Sequence, residues 1–500
     1  MESLVNFEPR KYQESIFKTC KEKNCLVILP TGIGKTAISL LLAIHRLNEF
    51  PGSKALVCSP TKPLCNQHVK TFMEHTTISK DKIILYTGMI RPSDRKELFN
   101  KGKIIIATPQ TIEKDLESGR ISLDEFSTLT IDEAHRSRMA YANTSVAKSY
   151  IQQSNNPRIL ALTASPGASK EKINEIMENL NIETVEIRTE YDDEVSPYVK
   201  EKVITWEEVE LPEDFKEIIS KLKSLYKERV GRLKNFGLTK PTSLISKRDL
   251  LSFQRNMQGE IQRGNKAAFT AISLIAQCIK LDYAIELIET QGLRQFNEFI
   301  NKLAIEDTKA AKAISSTKEI KEVSLLAESL IKKNIAHPKM DKLKLIASGL
   351  VNKNADVKIM IFANYRNTVK GIASLLSDVK GLRPVVLMGQ KEGVTQKKQL
   401  ETIREFEEGK YNVLVGTSIS EEGLDIRGGA DIAIFYDAVP SEIRKKQRSG
   451  RVGRLKAGNI INLIAKGTRD EAYRWVSYKK EKAMKNIIER IQKEEQNKLM

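Results

Sequence analysis

The sequence is poor in the residues that build disulfide frameworks and zinc sites. Its 500 residues include five cysteines and five histidines, and no two cysteines stand at the Cys-x-x-Cys spacing of a zinc site or a redox pair. Cys20 and Cys25 are nearest to each other in the chain, yet they are too far apart for that motif. We therefore expect reduced thiols, as in a reducing compartment, and no structural zinc.

Long apolar runs are also missing. No run approaches the roughly 20 residues that span a bilayer, and the amino end, MESLVN, does not resemble a signal peptide. These absences argue against a membrane or secreted protein and predict a soluble, cytoplasmic one.

What the chain has in excess is positive charge. Lysine and arginine total 82 against 64 acidic residues, which gives a net charge of +18. Such a chain attracts polyanions and binds them in a salt-dependent way. Net charge alone does not separate nucleic acid from an anionic membrane surface, so the motifs must decide.

Residues 26–36, LVILPTGIGKT, run an apolar strand into a glycine-rich turn, and a leucine-rich helix follows. This pattern is typical of a phosphate-binding loop, in which backbone N–H groups point at the phosphates. Lys35 would add a point charge, and the Thr36 hydroxyl could ligate Mg²⁺. Leu29 replaces the first glycine of the strict pattern. A chance Gly-Lys-Thr in a surface turn would not explain the flanking strand and helix. The predicted nucleotide-binding residues of the loop are Pro30, Thr31, Gly32, Ile33, Gly34, Lys35 and Thr36.

A short apolar run, Leu129 to Ile131, is followed directly by a pair of carboxylates. Parallel α/β sheets bind their ligands at the carboxyl ends of the strands. Asp132 is predicted to hold Mg²⁺, directly or through water, and Glu133 to orient and deprotonate the attacking water. An isolated Asp-Glu pair is more often a solvated turn, but the upstream phosphate loop favours the catalytic interpretation.

Residues 447–454, QRSGRVGR, supply a third element. Arg451 and Arg454 are three residues apart, so they share one face if the segment is helical. Planar guanidinium groups suit a γ-phosphate that gains charge in the transition state. A solvated basic helix would be the default in so basic a chain, but the two other sites favour catalysis. We therefore assign Gln447, Arg451 and Arg454 to the catalytic set.

In order and approximate spacing, these motifs resemble those of the superfamily 2 DEAH-type helicases, and in particular the archaeal Hef and eukaryotic FANCM group. The resemblance extends over nearly the whole chain. Residues 7–13, FEPRKYQ, are similar to the adenine-recognising segment, which implies Arg10 and Gln13 as base contacts. The resemblance also implies that Gly423 and Asp425 sense the nucleotide near its ribose.

The same resemblance implies residues that connect hydrolysis to movement along a strand. His135, Thr163 and Ser165 lie in motifs that are similar to the coupling motifs of the family. The nucleic-acid contacts that it implies are Thr61, Gly88, Thr108, Asn364, Arg366 and Thr417.

Hydrophobic periodicity divides the chain into three parts. Strand-like runs alternate with helical stretches over residues 24–189 and again from residue 358, which predicts two parallel α/β sheets. From about Trp206 to Ala336 helical spacing takes over, with a break near Gly292. With the resemblance, this predicts an α/β fold of two RecA-like motor domains, residues 1–195 and 339–500, the second ending in a C-terminal helix. An all-helical insertion domain, residues 196–338, separates them.

Basic residues cluster in the first half of this insertion, with Phe236 and Phe253 among them. The cluster consists of Arg229, Arg232, Lys234, Lys240, Lys247, Arg248, Arg255 and Arg263. Basic residues interleaved with aromatic ones suit a nucleic-acid face. A solvated helix face with both phenylalanines in the core is an equally good interpretation, and we keep both.

The closing segment, residues 478–500, places apolar side chains on one stripe of a charged helix. They are Met484, Ile487, Ile488 and Ile491. We expect this helix to pack back on a motor domain.

The three sites lead to a functional hypothesis in which ATP lies in the cleft between the motor domains. Nucleotide-driven closure would then move a strand bound by both domains. The resemblance implies 3′ to 5′ movement on forked, branched or single-stranded DNA, in replication-fork repair and associated with the nucleoid. It leaves room for a separate nuclease or sliding-clamp partner.

Two alternatives remain open to test. A double-stranded-RNA-stimulated ATPase of the RIG-I and Dicer type shares the motifs and a helical insertion. A scaffold that binds nucleic acid without hydrolysis is disfavoured, because Lys35, Asp132, Glu133, Arg451 and Arg454 are all present.

Overall fold

The computed structural model describes residues 1–138, 141–167, 169–199, 202–389, 395–417, 430–438 and 458–499. These residues form two parallel sheets and a group of helices between them in sequence. None of the helices described has an apolar stretch long enough to cross a membrane.

The first sheet contains seven parallel strands in the order β3-β4-β2-β5-β6-β1-β7. The strands are β1 (Cys25–Ile28), β2 (Lys54–Cys58), β3 (Ile83–Tyr86), β4 (Ile104–Ala107), β5 (Phe126–Asp132), β6 (Ile159–Thr163) and β7 (Thr184–Ile187). The central strands β1, β4, β5 and β6 are buried at every residue. Strands covered on both faces are expected to be near-continuous apolar runs, as β1, β4 and β6 are, whereas β5 also buries polar residues, among them Thr130 and Asp132.

One helix precedes the first strand of this sheet, and the others follow strands; together they cover its faces. They are α1 (Lys11–Glu22), α2 (Lys35–Glu49), α3 (Lys62–His75), α4 (Pro92–Lys101), α5 (Pro109–Glu117), α6 (Ala142–Gln153) and α7 (Lys170–Asn179). The alternation of strand and helix therefore agrees with the sequence periodicity over this part of the chain.

The insertion is helical from Glu213 onward. Its helices are α8 (Glu213–Leu233), α9 (Lys247–Gln262), α10 (Ala267–Thr290), α11 (Leu293–Ile305), α12 (Lys309–Ser315) and α13 (Lys318–Lys332). Gly292, at a φ of +103°, separates α10 from α11, so the predicted break is confirmed. Phe215 and Phe296 are fully buried within the core of the insertion.

The second sheet contains six parallel strands in the order β10-β11-β9-β12-β13-β8. They are β8 (Lys202–Val209), β9 (Ile359–Phe362), β10 (Pro384–Leu387), β11 (Val413–Gly416), β12 (Ile432–Phe435) and β13 (Gly458–Ala465). The associated helices are α14 (Pro338–Lys353), α15 (Arg366–Ser377), α16 (Gln396–Glu407) and α17 (Arg469–Leu499). The predicted fold class, two parallel sheets with a helical domain between them, is confirmed.

The strand β8 differs from the expectation that the helical insertion begins at residue 196 and that strand periodicity is lost from about Trp206. Residues 202–209 instead form the edge strand of the second sheet, in register with β13 from Lys202 and Gly458 to Val209 and Ala465. The physical reason is that β8 has one partner, which lies about 250 residues later in the chain. Its glutamates, Glu207 and Glu208, are unfavourable in strands, so the local signal is weak.

The C-terminal helix α17 begins beside the second sheet and reaches the first. Met484, Ile487 and Ile491 pack into the core of the first sheet, and the helix contacts β7. The expectation that this helix packs back on a motor domain is therefore confirmed. The side chain of Ile488 lies outside the described part of the structure.

Candidate nucleotide and nucleic-acid site

The first sheet brings its polar motifs to one edge. Because all of its strands are parallel, their carboxyl ends meet at the same side of the sheet, where α/β folds bind ligands. The phosphate loop follows β1, Thr61 follows β2, Thr108 follows β4, Asp132 ends β5 and Thr163 ends β6. Motifs that are distant in sequence are thus neighbours in space.

The phosphate loop has the backbone that its glycines make possible. Gly32 and Gly34 have φ values of +86° and +88°, in a region that L-residues rarely adopt. A Cβ atom on Gly34 would also lie 2.8 Å from the Nε2 atom of Gln13. The helix α2 begins immediately afterwards at Lys35, so its first backbone N–H groups are available to a phosphate.

The segment predicted to recognise adenine also braces this loop. The buried Gln13 amide donates to the Gly34 carbonyl at 3.2 Å and to the Ile33 carbonyl at 3.4 Å. Its side-chain oxygen accepts from the backbone N–H of Arg10 at 2.9 Å. The Tyr12 hydroxyl donates to the Ile33 carbonyl as well. Gln13 therefore supports the phosphate loop directly, and a base contact by Gln13 would need some of these bonds to exchange.

Arg10 has an aromatic neighbour that the motifs did not indicate. Its guanidinium carbon lies 4.2 Å from the ring centroid of Tyr198, a distance at which cation and ring attract each other. Tyr198 lies between β7 and β8, outside every motif, and its sequence surroundings carry no signal for this contact.

The Asp132 carboxylate is held by three donors. Its Oδ2 atom accepts from His68 Nε2 at 3.0 Å and from Ser59 Oγ at 3.2 Å, and its Oδ1 atom accepts from the Glu133 backbone N–H at 2.9 Å. Burial alone would raise the pKa of Asp132, but the hydrogen bond from His68 and the nearby charge of Lys35 hold that pKa below its usual value. Asp132 is therefore ionised at neutral pH.

This arrangement fits Mg²⁺ carried by a nucleotide. Proteins usually hold Mg²⁺ with one or two carboxylates together with substrate phosphates and water. Asp132 offers the carboxylate, and Thr36 offers a hydroxyl in the first turn of α2. Among the residues that the structure describes, no group of three or more acidic, histidine or cysteine side chains could hold a metal alone. A metal that arrives with phosphate ligands needs no such group.

Glu133 sits in a strained backbone conformation and contacts the coupling motif. Its φ of +52° is uncommon for a residue with a side chain. The Nδ1 atom of His135 lies 3.2 Å from a Glu133 carboxylate oxygen and 3.2 Å from the Thr163 hydroxyl. The backbone N–H of Ser165 in turn donates to that hydroxyl at 3.2 Å. The predicted base and the predicted coupling residues therefore form one contiguous chain.

The residues of the first domain that are predicted to contact the nucleic acid lie at helix starts or in an exposed turn. Thr61 caps α3 by accepting from the Leu64 N–H at 3.5 Å, and Thr108 precedes α5, with its hydroxyl 2.8 Å from that of Thr111. Gly88 is exposed after β3. Helix N-termini attract phosphate groups, which suits contacts to a nucleic-acid backbone.

The second sheet presents its candidates in the same manner. Asn364 follows β9 and is exposed, Thr417 follows β11 and is buried, and Arg366 begins α15. The Arg366 guanidinium donates to the Gly389 carbonyl at 3.0 Å.

Five predicted residues lie outside the described part of the chain, so their assignments stay predictions. They are Gly423, Asp425, Gln447, Arg451 and Arg454.

Family models match three consecutive parts of the chain. Residues 10–173 match the DEAD/DEAH box helicase family, and residues 339–456 match the helicase conserved C-terminal domain. Residues 214–337 match a helical bundle described as that of a putative ATP-dependent RNA helicase.

Individual proteins resemble nearly the whole chain. A putative ATP-dependent RNA helicase of Methanocaldococcus jannaschii is 39% identical over 97% of this chain, which spans 61% of that protein. The DEAD-box ATP-dependent RNA helicase FANCM of Arabidopsis thaliana is 32% identical over 93% of the chain, which spans 35% of it. The ATP-dependent DNA helicase fml1 of Schizosaccharomyces pombe is 31% identical over 93%, and the chain spans 58% of it. The chain thus spans less than two thirds of each of these curated relatives.

Among solved structures, the crystal structure of the Pyrococcus furiosus Hef helicase domain is 42% identical, with a TM-score of 0.73. The match covers 94% of this chain and 98% of that one. Two parallel sheets, the phosphate loop and both helicase models together place the chain in the helicase class. Within that class, the chain belongs to the superfamily 2 helicases of the Hef and FANCM group, as its motifs predicted.

Proposed function

We propose that this protein is an ATP-dependent helicase or translocase that acts on forked or branched DNA and moves 3′ to 5′. The observation that carries the DNA assignment is the likeness, over nearly the whole chain, to a Hef helicase domain and to a relative named as a DNA helicase. The direction of movement and the role in fork repair follow from the family resemblance.

In this proposal the first sheet binds ATP and Mg²⁺ through Lys35, Thr36 and Asp132. Glu133 deprotonates the attacking water, and Arg451 and Arg454 approach the γ-phosphate from the second motor domain. The lowered pKa of Asp132 supports its role, because an ionised carboxylate is what Mg²⁺ requires. Bound Mg²⁺ would neutralise charge on the phosphates as it develops.

The nucleic-acid strand would run across the carboxyl ends of both sheets. Its contacts would be Thr61, Gly88 and Thr108 on the first domain and Asn364, Arg366 and Thr417 on the second. Helix starts and small polar side chains favour contacts to phosphate and sugar, which carry no sequence information. We therefore expect little dependence on base sequence.

The insertion supports a second nucleic-acid contact through one face of α9. Arg248, Leu251 and Arg255 are spaced three and four residues apart, so they lie on one face, and all three are exposed. Neither arginine forms an ion pair within the part of the chain that the structure describes. Phe269, in the first turn of α10, is 61% exposed.

The burial of individual residues supports each interpretation of the insertion for different residues. Phe253 is buried in the core around α9 and α10, as the solvated-helix interpretation expects. The exposed arginines and Phe269 instead support a nucleic-acid face, because unpaired cations beside exposed apolar groups suit phosphates and bases.

A double-stranded-RNA-stimulated ATPase is the second candidate. Three descriptions favour it: the helical-bundle model, the Methanocaldococcus relative and the Arabidopsis relative are each described as RNA helicases. Steady-state ATP hydrolysis with single-stranded DNA, forked DNA, four-way-junction DNA and double-stranded RNA separates the two, with Lys35→Ala as the blank. Strongest stimulation by branched DNA supports the proposal, and strongest stimulation by double-stranded RNA replaces it with the second candidate.

The role of the insertion has its own test. The double variant Arg248→Glu with Arg255→Glu should weaken forked-DNA binding and flatten its salt dependence, because each lost phosphate contact reduces the salt slope by about one. Lys332→Glu with Lys333→Glu, at the exposed end of α13, makes the same change of charge elsewhere on the insertion. Equal losses of DNA affinity in both double variants would show that the loss comes from the change in net charge and not from the face of α9.

A further inference from the structure

The segment that begins at Asn364 is hydrogen-bonded to two helices of the insertion. The Tyr365 hydroxyl donates to a Glu286 carboxylate oxygen on α10 at 3.0 Å. The Asn367 amide donates to a Glu298 carboxylate oxygen on α11 at 2.8 Å. The second motor domain therefore meets the insertion at the segment predicted to bind the nucleic-acid strand.

One insertion residue lies at the centre of this junction. Gln291, between α10 and α11, is 2% exposed. Its amide oxygen accepts from the Thr368 hydroxyl at 2.7 Å, and its amide nitrogen donates to Asp437 Oδ1 at 2.6 Å and to the Thr290 hydroxyl at 2.9 Å. Gln291 thus binds α15 and the segment that follows β12 at the same time. Such pairing requires a side chain that both donates and accepts, as an amide does.

Asp437 links Gln291 to the loop that carries Asn364. It is itself buried, and its Oδ2 atom accepts from the Asn364 backbone N–H at 2.5 Å. A buried carboxylate is stable only while its oxygens have donors. The position of Asn364 is therefore set by a carboxylate whose other oxygen is held by the insertion.

We propose that Gln291 is a positioning residue through which the helical insertion fixes the strand-binding loop at Asn364. This proposal rests on the proposed function, because it takes Asn364 to contact the strand. Without the Gln291 amide, Asp437 loses the donor on Oδ1 and is free to turn. The Asn364 loop then loses its fixed acceptor, and the strand is held less well even though Gln291 does not touch it.

The test is the single-stranded DNA affinity of Gln291→Met, measured by fluorescence anisotropy on the full chain. Methionine has a similar length but cannot bond to Asp437 or Thr368. We expect up to roughly a tenfold weaker affinity, because DNA binding must then reorder the Asn364 loop at a cost of the order of one hydrogen bond to a charged group, with the KM for ATP unchanged. A weaker DNA affinity with an unchanged KM for ATP would not arise from a general loss of structure. Thermal unfolding checks the fold independently.

Gln277→Met is the matched control, because Gln277, on α10, is another buried glutamine of the insertion. Its amide donates to Ser273 within the same helix, at 3.5 Å, so the control should keep the wild-type DNA affinity. An equal loss of affinity in both variants would overturn the proposal.

The double variant Gln291→Met with Asn364→Ala tests whether Gln291 acts through Asn364. If Gln291 acts by placing Asn364, the double variant should bind no more weakly than Asn364→Ala, because the two changes remove one and the same interaction. Full additivity would overturn the proposal. A loss in Asn364→Ala without any loss in Gln291→Met would also overturn it and leave the proposed function standing. Unchanged affinity in Asn364→Ala would refute the strand assignment itself, and the proposal with it.

Discussion

Replacing His68 by alanine should weaken Mg²⁺-dependent hydrolysis although His68 lies in none of the assigned motif positions. His68 is buried on α3, and its Nε2 atom is 3.0 Å from Asp132 Oδ2. Alanine would remove this donor and leave Ser59, at 3.2 Å, as the remaining described side-chain donor to that oxygen. The predicted metal ligand would then be less well oriented.

The size of the effect follows from the kind of bond that is lost. A hydrogen bond to a charged group contributes about 1.5–3 kcal/mol. Changing a group that orients a metal ligand typically costs about 10- to 100-fold in metal affinity or activity, which is the same range. We therefore expect His68→Ala to raise the free Mg²⁺ concentration for half-maximal ATP hydrolysis by about 10-fold or more.

The assay is DNA-stimulated ATP hydrolysis titrated with Mg²⁺, together with nucleotide binding in EDTA. Binding without metal should be unchanged, because His68 bonds to Asp132 and not to the phosphate loop. His45→Ala is a suitable control, since His45 is partly exposed on α2 and lies near Glu49, at 3.6 Å. A normal Mg²⁺ titration in His68→Ala would refute the reasoning.

Two further predictions concern the base and a buried histidine. Glu133→Gln should retain ATP and DNA binding and lose about 10²- to 10⁴-fold in hydrolysis, the usual contribution of a general base; near-normal turnover would contradict the assignment. Burial lowers the pKa of His337 to about 3, so between about pH 6.5 and 3 the unfolded chain binds a proton that the folded chain does not. Stability should fall as pH drops through this window, by up to about 1.4 kcal/mol per pH unit. Urea unfolding at pH 7 and pH 5 measures this, and an equal fall in His337→Gln would contradict the cause.

The parts of the site that could be predicted from sequence are those with local signals. The phosphate loop is read from adjacent residues, because the glycines at positive φ and the Lys-Thr pair stand within one turn. The short apolar run before Asp132 predicts that this residue ends a buried strand. A parallel sheet then brings such strand ends together without any further information.

The residues that could not be predicted make contacts between distant parts of the chain. His68 lies 64 residues before Asp132 and contacts it from the helix α3. The β8 strand has its partner about 250 residues later, and Tyr198 contacts Arg10 from the segment between β7 and β8. No pattern within a short window encodes these pairs, since they depend on how the elements pack.

The same packing suggests which parts of the molecule move together. Lys339, at the start of α14, is fully buried, pairs with Asp470 on α17 and donates to the Tyr436 carbonyl at 3.0 Å. Arg469, next to Asp470, bonds to Asp282 of the insertion at 2.6 and 3.1 Å. Removing one partner of a buried ion pair costs about 3–5 kcal/mol, because the other charge is left buried without compensation. We therefore expect the insertion, the second sheet and the start of α17 to move as one unit when nucleotide rearranges the domains. Such joint movement is required if an insertion residue is to influence the affinity for a nucleic-acid strand.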